Sequence, residues 1–130
     1  MSNKAEGNKF EREFCEILSD AGFWAHRLKD DAYGQPADII AVKNDTAYLI
    51  DCKVCSRGKF NLNRIESNQH TAMELWADCG NNEGLFALKL DEEIYILSKH
   101  VIDCDIDRST IDENDMRVYG YTIKEWLTRC

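Results

Sequence analysis

The sequence predicts an α/β fold with its elements in the order helix, strand, strand, strand, helix, strand. Three observations predict it: an apolar helical stripe near the start, two adjacent apolar runs joined by a short polar turn, and a second helical pattern followed by another pair of short apolar runs.

Residues 8–20 (NKFEREFCEILSD) set Phe10, Phe14, Ile17 and Leu18 at i, i+4, i+7 and i+8, which is one apolar face of a helix. Ala21-Gly22 supplies its stop, with Gly22 at the C′ position. Residues 23–28 (FWAHRL) are apolar and aromatic and short enough for a strand, and 29–35 read as a loop. The runs 37–43 and 47–54, joined by Asn44-Asp45-Thr46, predict a hairpin of antiparallel strands. Residues 57–63 read as loop. The second helix is expected over 64–79, where Ile65, Ala72, Leu75, Trp76 and Cys79 follow a broadly helical pattern ended by Gly80-Asn81-Asn82. A second hairpin, 84–90 and 93–97, turns at Asp91-Glu92. Beyond it, 98–103 reads as a short helix, 105–115 as an acidic loop, and 122–130 as a helix capped by Thr122.

The 130 residues are expected to form a single domain, 1–130, with a core at 8–97 and an acidic C-terminal extension at 98–130. A composition 44% hydrophobic and 31% charged, with one proline, excludes a disordered or fibrous chain. No apolar run approaches the roughly 20 residues of a membrane helix, and the start has no signal-peptide character, so a cytoplasmic protein is expected. Reduced thiols are therefore expected for the six cysteines. Cys52 and Cys55 form a lone CxxC, which reads either as half a zinc site or as two small buried hydrophobes.

A net charge of −8, taken alone, counts against nucleic acid, since affinity for it comes from Lys and Arg neutralising phosphates. Its distribution reverses that reading. Residues 1–70 hold ten Lys and Arg against eleven Asp and Glu, whereas 71–130 hold six against thirteen. The excess acid lies outside the segment that carries the candidate chemistry.

That chemistry starts from strand alternation. Asp51 and Lys53 project to one face about 6.7 Å apart, with Ile50, Cys52 and Val54 on the other. Asp38 opens the preceding strand, so the hairpin brings it beside Asp51. Two adjoining carboxylates repel and need a cation. Such oxygens suit Mg²⁺, which binds one or two carboxylates, keeps several waters and takes substrate phosphate as a further ligand. A lysine at the rim orients or helps deprotonate an attacking water and offsets charge growing on phosphorus.

Pro36-Ala37-Asp38 followed by Asp51-Cys52-Lys53 resembles the PD-(D/E)xK nuclease signature, with one residue inserted between Pro and Asp. GNKFERE over 7–13, then Gly22-Phe23 and Arg27, resembles the opening segment of archaeal-type and phage Holliday junction resolvases of that superfamily. The resemblance covers 7–84 in motif order and spacing. It implies a restriction-endonuclease-like core, a central mixed sheet flanked by helices in the order αβββαβ.

By the same resemblance, Asp38, Asp51 and the backbone carbonyl of Cys52 hold the metal, Lys53 is the catalytic lysine, and Glu11 positions metal or water from helix one. Arg12 and Arg27 contact the DNA backbone. Glu13 competes with Glu11: the two lie ~100° and ~300° around the helix from Phe10, so periodicity does not choose, and the FERE resemblance favours Glu11. Gln69 matches the segment in which related bacterial resolvases place a glutamine near the metal; its other reading is an exposed helix position. His70 reads as a helix-surface residue or a participant in chemistry. Lys9, Lys29, Arg57, Lys59 and Arg64 flank the site and are candidate phosphate anchors. Tyr33 and Phe60 are either packing residues or platforms for an unpaired base.

The expectation is a Mg²⁺-dependent endonuclease, with Mn²⁺ able to substitute, that hydrolyses branched DNA by in-line attack of an activated water, leaving a 5′-phosphate. Paired cuts at a four-way junction imply a homodimer. The rivals are a nuclease of the same fold acting on flaps, single strands or duplex, and a non-catalytic binding module whose acidic tail holds a basic protein.

Overall fold

A computed structural model describes residues 3–29 and 35–130. Helix α1 (Asn3–Asp20) leads into β1 (Trp24–Arg27), β2 (Ile39–Lys43) and β3 (Thr46–Val54). After β4 (Lys59–Asn61) and a 3-10 turn (Leu62–Arg64) come α2 (Ser67–Asp78), β5 (Leu85–Leu90) and β6 (Glu93–Ser98). A π-helical turn (Val101–Asp105), β7 (Thr110–Asp112), α3 (Glu113–Tyr119), β8 (Tyr121–Thr122) and α4 (Ile123–Leu127) complete the chain. Six strands form a sheet in the order β1-β2-β3-β5-β6-β8, and β4 pairs with β7 in a separate ribbon. All pairings are antiparallel except β3 with β5, whose connection carries α2, so the sheet is mixed.

The β2–β3 hairpin closes on the two residues Asn44 and Asp45, both at positive φ (51° and 63°), as a type I′ turn requires. Each face of the sheet has its own core. On one, Phe10, Phe14 and Leu18 of α1 and Trp126 of α4 pack on Ile39, Ile50, Cys52 and Ala87. On the other, Met73 of α2 and Met116 of α3 cover Leu49, Phe86, Leu88 and Tyr95. Residues 98–130 are woven into both cores: Trp126 stacks on Phe23 at 5.7 Å, and β8 extends the sheet beside β6.

Several expectations need correction. Helix α1 begins at Asn3, not residue 8, because its first turns are polar and lie outside the apolar stripe that starts at Phe10. The second helix starts at Ser67; Ile65 stands before it in extended backbone, and Glu66 and Gln69 close a capping box that fixes the start. Residues 57–63 and 105–115 are not simply loops, since they contribute β4 and β7 to each other. The acidic stretch also starts α3: Asp112 accepts from the Asp115 amide and Asp115 from the Asp112 amide, carboxylates at a positive helix end. No helix among the described residues is long and apolar enough to cross a membrane.

Candidate active site

The ladder between β2 and β3 pairs Ile39 with Ile50. One residue further, the Asp38 amide donates to the Ile50 carbonyl (3.0 Å), so Asp38 stands opposite Asp51 as the hairpin predicts. There the backbone ladder ends, and the Cys52 N–H donates instead to Asp38 Oδ2 at 2.6 Å. Asp51 is fully buried, and its Oδ1 accepts from Gln69 Nε2 at 2.9 Å. Its Oδ2 is buried without a hydrogen-bond partner among the described residues; Lys53 Nζ lies 3.5 Å away. Gln69 is buried too, so its exposed-helix reading fails: the side chain links the cap of α2 to Asp51.

Glu11 reaches the same place from α1, on the opposite layer. It is buried, with Arg27 Nη2 3.8 Å from its Oε1. Glu13 points elsewhere, to Lys89 Nζ at 2.9 Å and Lys9 at 3.9 Å. The packing of α1 through Phe10 and Phe14 thus resolves what periodicity left open.

The electrostatics fit a site for a cation. Burial, then repulsion from Asp51, raises Asp38 to about 7. Burial, then the neighbouring Asp38, raises Glu11 to about 7 against the lowering effect of Arg27. Burial also raises Asp51, opposed chiefly by Lys53. An orphaned buried carboxylate oxygen beside two strained carboxyl groups fits a hard divalent ion. Among the described residues no three His, Cys, Asp or Glu side chains form a ready cage.

Glu11, Asp38, Cys52, Lys53 and Gln69 line a cleft of about 520 Å³, with Lys4, Asn8, Gln35, Glu66 and Asn68 also on its walls; Asp51 is buried and does not line it. Val54 and Arg64 also belong to an adjoining cleft of about 700 Å³ that holds Arg57, Lys59, Asn61 and Thr110. Arg64 is tied down, donating to the Val54 carbonyl at 2.7 Å, with its guanidinium 5.2 Å from the Phe60 ring centre. Arg12, Lys9 and Lys29 are exposed.

Other candidates are not brought to the cleft. Phe60 is 1% exposed in the core and cannot stack on a base. Tyr33 lies outside the described residues. His70 faces Asp103 at 3.7 Å. All six cysteines are free thiols; Cys52 is buried and Cys55 half-buried, and no zinc-type cluster occurs among the described residues. Sequence reasoning missed Gln35, whose amide donates to the Leu28 carbonyl at the cleft wall; a loop glutamine carries no periodic signal.

No curated protein matches the chain in sequence. Among solved structures, the 1.6 Å structure of Archaeoglobus fulgidus Hjc, a Holliday junction resolvase from an archaeal hyperthermophile, superposes with a TM-score of 0.72. It is 24% identical and covers 95% of this chain and 96% of that one, a likeness of fold. The archaeal Holliday junction resolvase (Hjc) family model matches residues 2–125. Members of that family are DNA endonucleases, generally dependent on a divalent metal. The chain therefore belongs to the archaeal Holliday junction resolvase family and is a junction-cleaving nuclease.

Proposed function

We propose that the protein cuts four-way DNA junctions as a homodimer, with Mg²⁺ held at Asp38, Asp51, the Cys52 carbonyl and Glu11, and with Lys53 at the scissile phosphate. The observation that carries this reading is the buried Asp38–Asp51 pair: the unpartnered Asp51 Oδ2 lies 3.5 Å from Lys53 Nζ, and Asp38 and Lys53 line the cleft. When bound, the ion supplies positive charge opposite the phosphate and acidifies water.

The chain's own groups do the rest. Lys53, held by Asp51, presents an ammonium to the phosphate oxygens and offsets charge that grows during displacement. Glu11 lies beside Arg27, its carboxyl raised to about 7 by burial and Asp38, and would help hold the ion from the α1 side. Gln69 fixes the Asp51 rotamer through one hydrogen bond. Arg57, Lys59 and Arg64 in the adjoining cleft, with Arg12, Arg27 and Lys29, anchor the backbone. Arg27 does so only while it also holds Glu11. Two sites are needed for paired cuts, which is what a homodimer supplies.

The test is cleavage of a synthetic four-way junction, a flap and a linear duplex with Mg²⁺ or Mn²⁺. Paired nicks confined to the junction, lost in Asp51→Asn and Lys53→Ala, are expected. Equal cutting of all three substrates rejects junction selectivity, and full activity in either variant rejects the site.

A further inference from the structure

We propose that Trp24 and His26 form a stacking platform for a branch-point base of the substrate that has lost its stacking neighbour, set beside the cut. The proposal rests on the placement of the cut at Asp38 and Asp51 argued above. Trp24 is 63% exposed on the edge strand β1. Its ring lies nearly flat on that of His26, with centroids 5.8 Å apart and planes 14° apart. A tryptophan so exposed forgoes the burial that usually holds this residue. Trp126 is buried and Trp76 half-buried, so Trp24 alone of the three offers its ring to solvent.

Strand register assigns the face. Trp24 pairs with Val42 and His26 with Ile40, which in turn pairs with Leu49. Opposed residues share a face and side chains alternate along a strand, so Trp24 and His26 stand on the face that carries Leu49, Asp51 and Lys53. Arg27 stands on the other face, against Glu11 of α1.

The Leu28 N–H donates to the Asp38 carbonyl, which extends the Asp38–Asp51 row across to β1. At ~3.3 Å per residue, His26 lies about 7 Å and Trp24 about 13 Å from that row. This corresponds to two to four steps of stacked DNA at ~3.4 Å each.

The occupant follows from continuity with the cleavage site and from the substrate. Bases at the branch point of a junction lose a stacking neighbour, whereas those of a linear duplex do not. An aromatic face accepts any base, so the platform reads branching without reading sequence. Lys29, exposed two residues beyond Arg27, supplies a cation for the backbone of the branch-point strand.

The test uses the full chain and a four-way junction carrying 2-aminopurine at the branch point, in chelator so that nothing is cut. Trp24→Ala is expected to reduce the preference for junction over linear duplex about tenfold, the loss of one stacked base. It should also remove the change in 2-aminopurine emission on binding, while Trp24→Phe keeps most of both. Val118→Ala, a similarly exposed apolar residue on α3, is the control. An unchanged preference, or an equal loss on junction and duplex, overturns the platform. A change in sedimentation mass on Trp24→Ala overturns it in favour of a contact between two copies. Failure of the site reading shows separately, as cleavage by Asp51→Asn, whatever Trp24 does.

Discussion

Asp38 accepts a hydrogen bond of 2.6 Å from the backbone amide of Cys52, the residue between Asp51 and Lys53. One bond therefore locks the first carboxylate of the site to the strand that carries the second carboxylate and the lysine. Asn at position 38 can keep that bond through its carbonyl oxygen but loses the charge. Asp38→Asn should leave the fold intact and lower junction cleavage by roughly a hundredfold or more. In metal-free protein near neutral pH it should raise Tm by several degrees, since it removes a buried repelling charge; a lower Tm would count against this.

The pH dependence of stability has a definite sign. Glu11 and Asp38 sit at about 7 in the folded chain, above ordinary values of 4.5 and 3.8. Between about pH 4 and about pH 7 the folded chain keeps protons that the unfolded chain releases, so stability is fullest at the acid end and is lost as pH rises through 7. Calorimetric melts without metal should show Tm falling across that window. Mg²⁺ or Mn²⁺ should reverse the fall, with affinity that increases over the same range. A metal-free Tm that rises through that window contradicts the assignment.

Gln69 serves two masters, the α2 cap and Asp51. Gln69→Ala should lower stability by about 1 kcal/mol through the lost cap and reduce kcat about tenfold or more. Gln69→Glu separates the roles: the cap survives, as glutamate suits that position, but a second carboxylate faces Asp51. Its activity should fall while its Tm holds at high magnesium. Equal behaviour of the two variants would deny the link.

Glu11 and Glu13 should divide cleanly. Glu11→Gln should abolish most cleavage. Glu13→Gln breaks only surface pairs with Lys89 and Lys9, each worth under about 1 kcal/mol, and should leave turnover nearly intact.

Arg57→Ala and Lys59→Ala, in the cleft beyond Arg64, should each weaken junction binding and reduce the slope of log affinity against log salt by about 1. Unchanged slopes would place the DNA elsewhere.

Much of this was legible in the sequence. The spacing of Phe10, Phe14 and Leu18 gave α1, and the apolar runs around Asn44-Asp45 gave the hairpin that sets Asp38 against Asp51. Alternation along β3 put Asp51 and Lys53 on one face. What periodicity could not see was non-local or polar. Strand β4 is three residues long, and its partner β7 lies some fifty residues later. The choice between Glu11 and Glu13 depended on the rotation of α1, which is set by the sheet beneath it. The acidic tail looked like solvated loop because its carboxylates act as helix caps, which composition does not distinguish from surface charge.

The central claim is that Asp38 and Asp51 share one cation beside Lys53. Anomalous diffraction from crystals grown with Mn²⁺ tests it most directly. A single strong peak is expected, ligated by Asp38, Asp51, the Cys52 carbonyl and Glu11. A peak elsewhere, or none at saturating Mn²⁺, would contradict it.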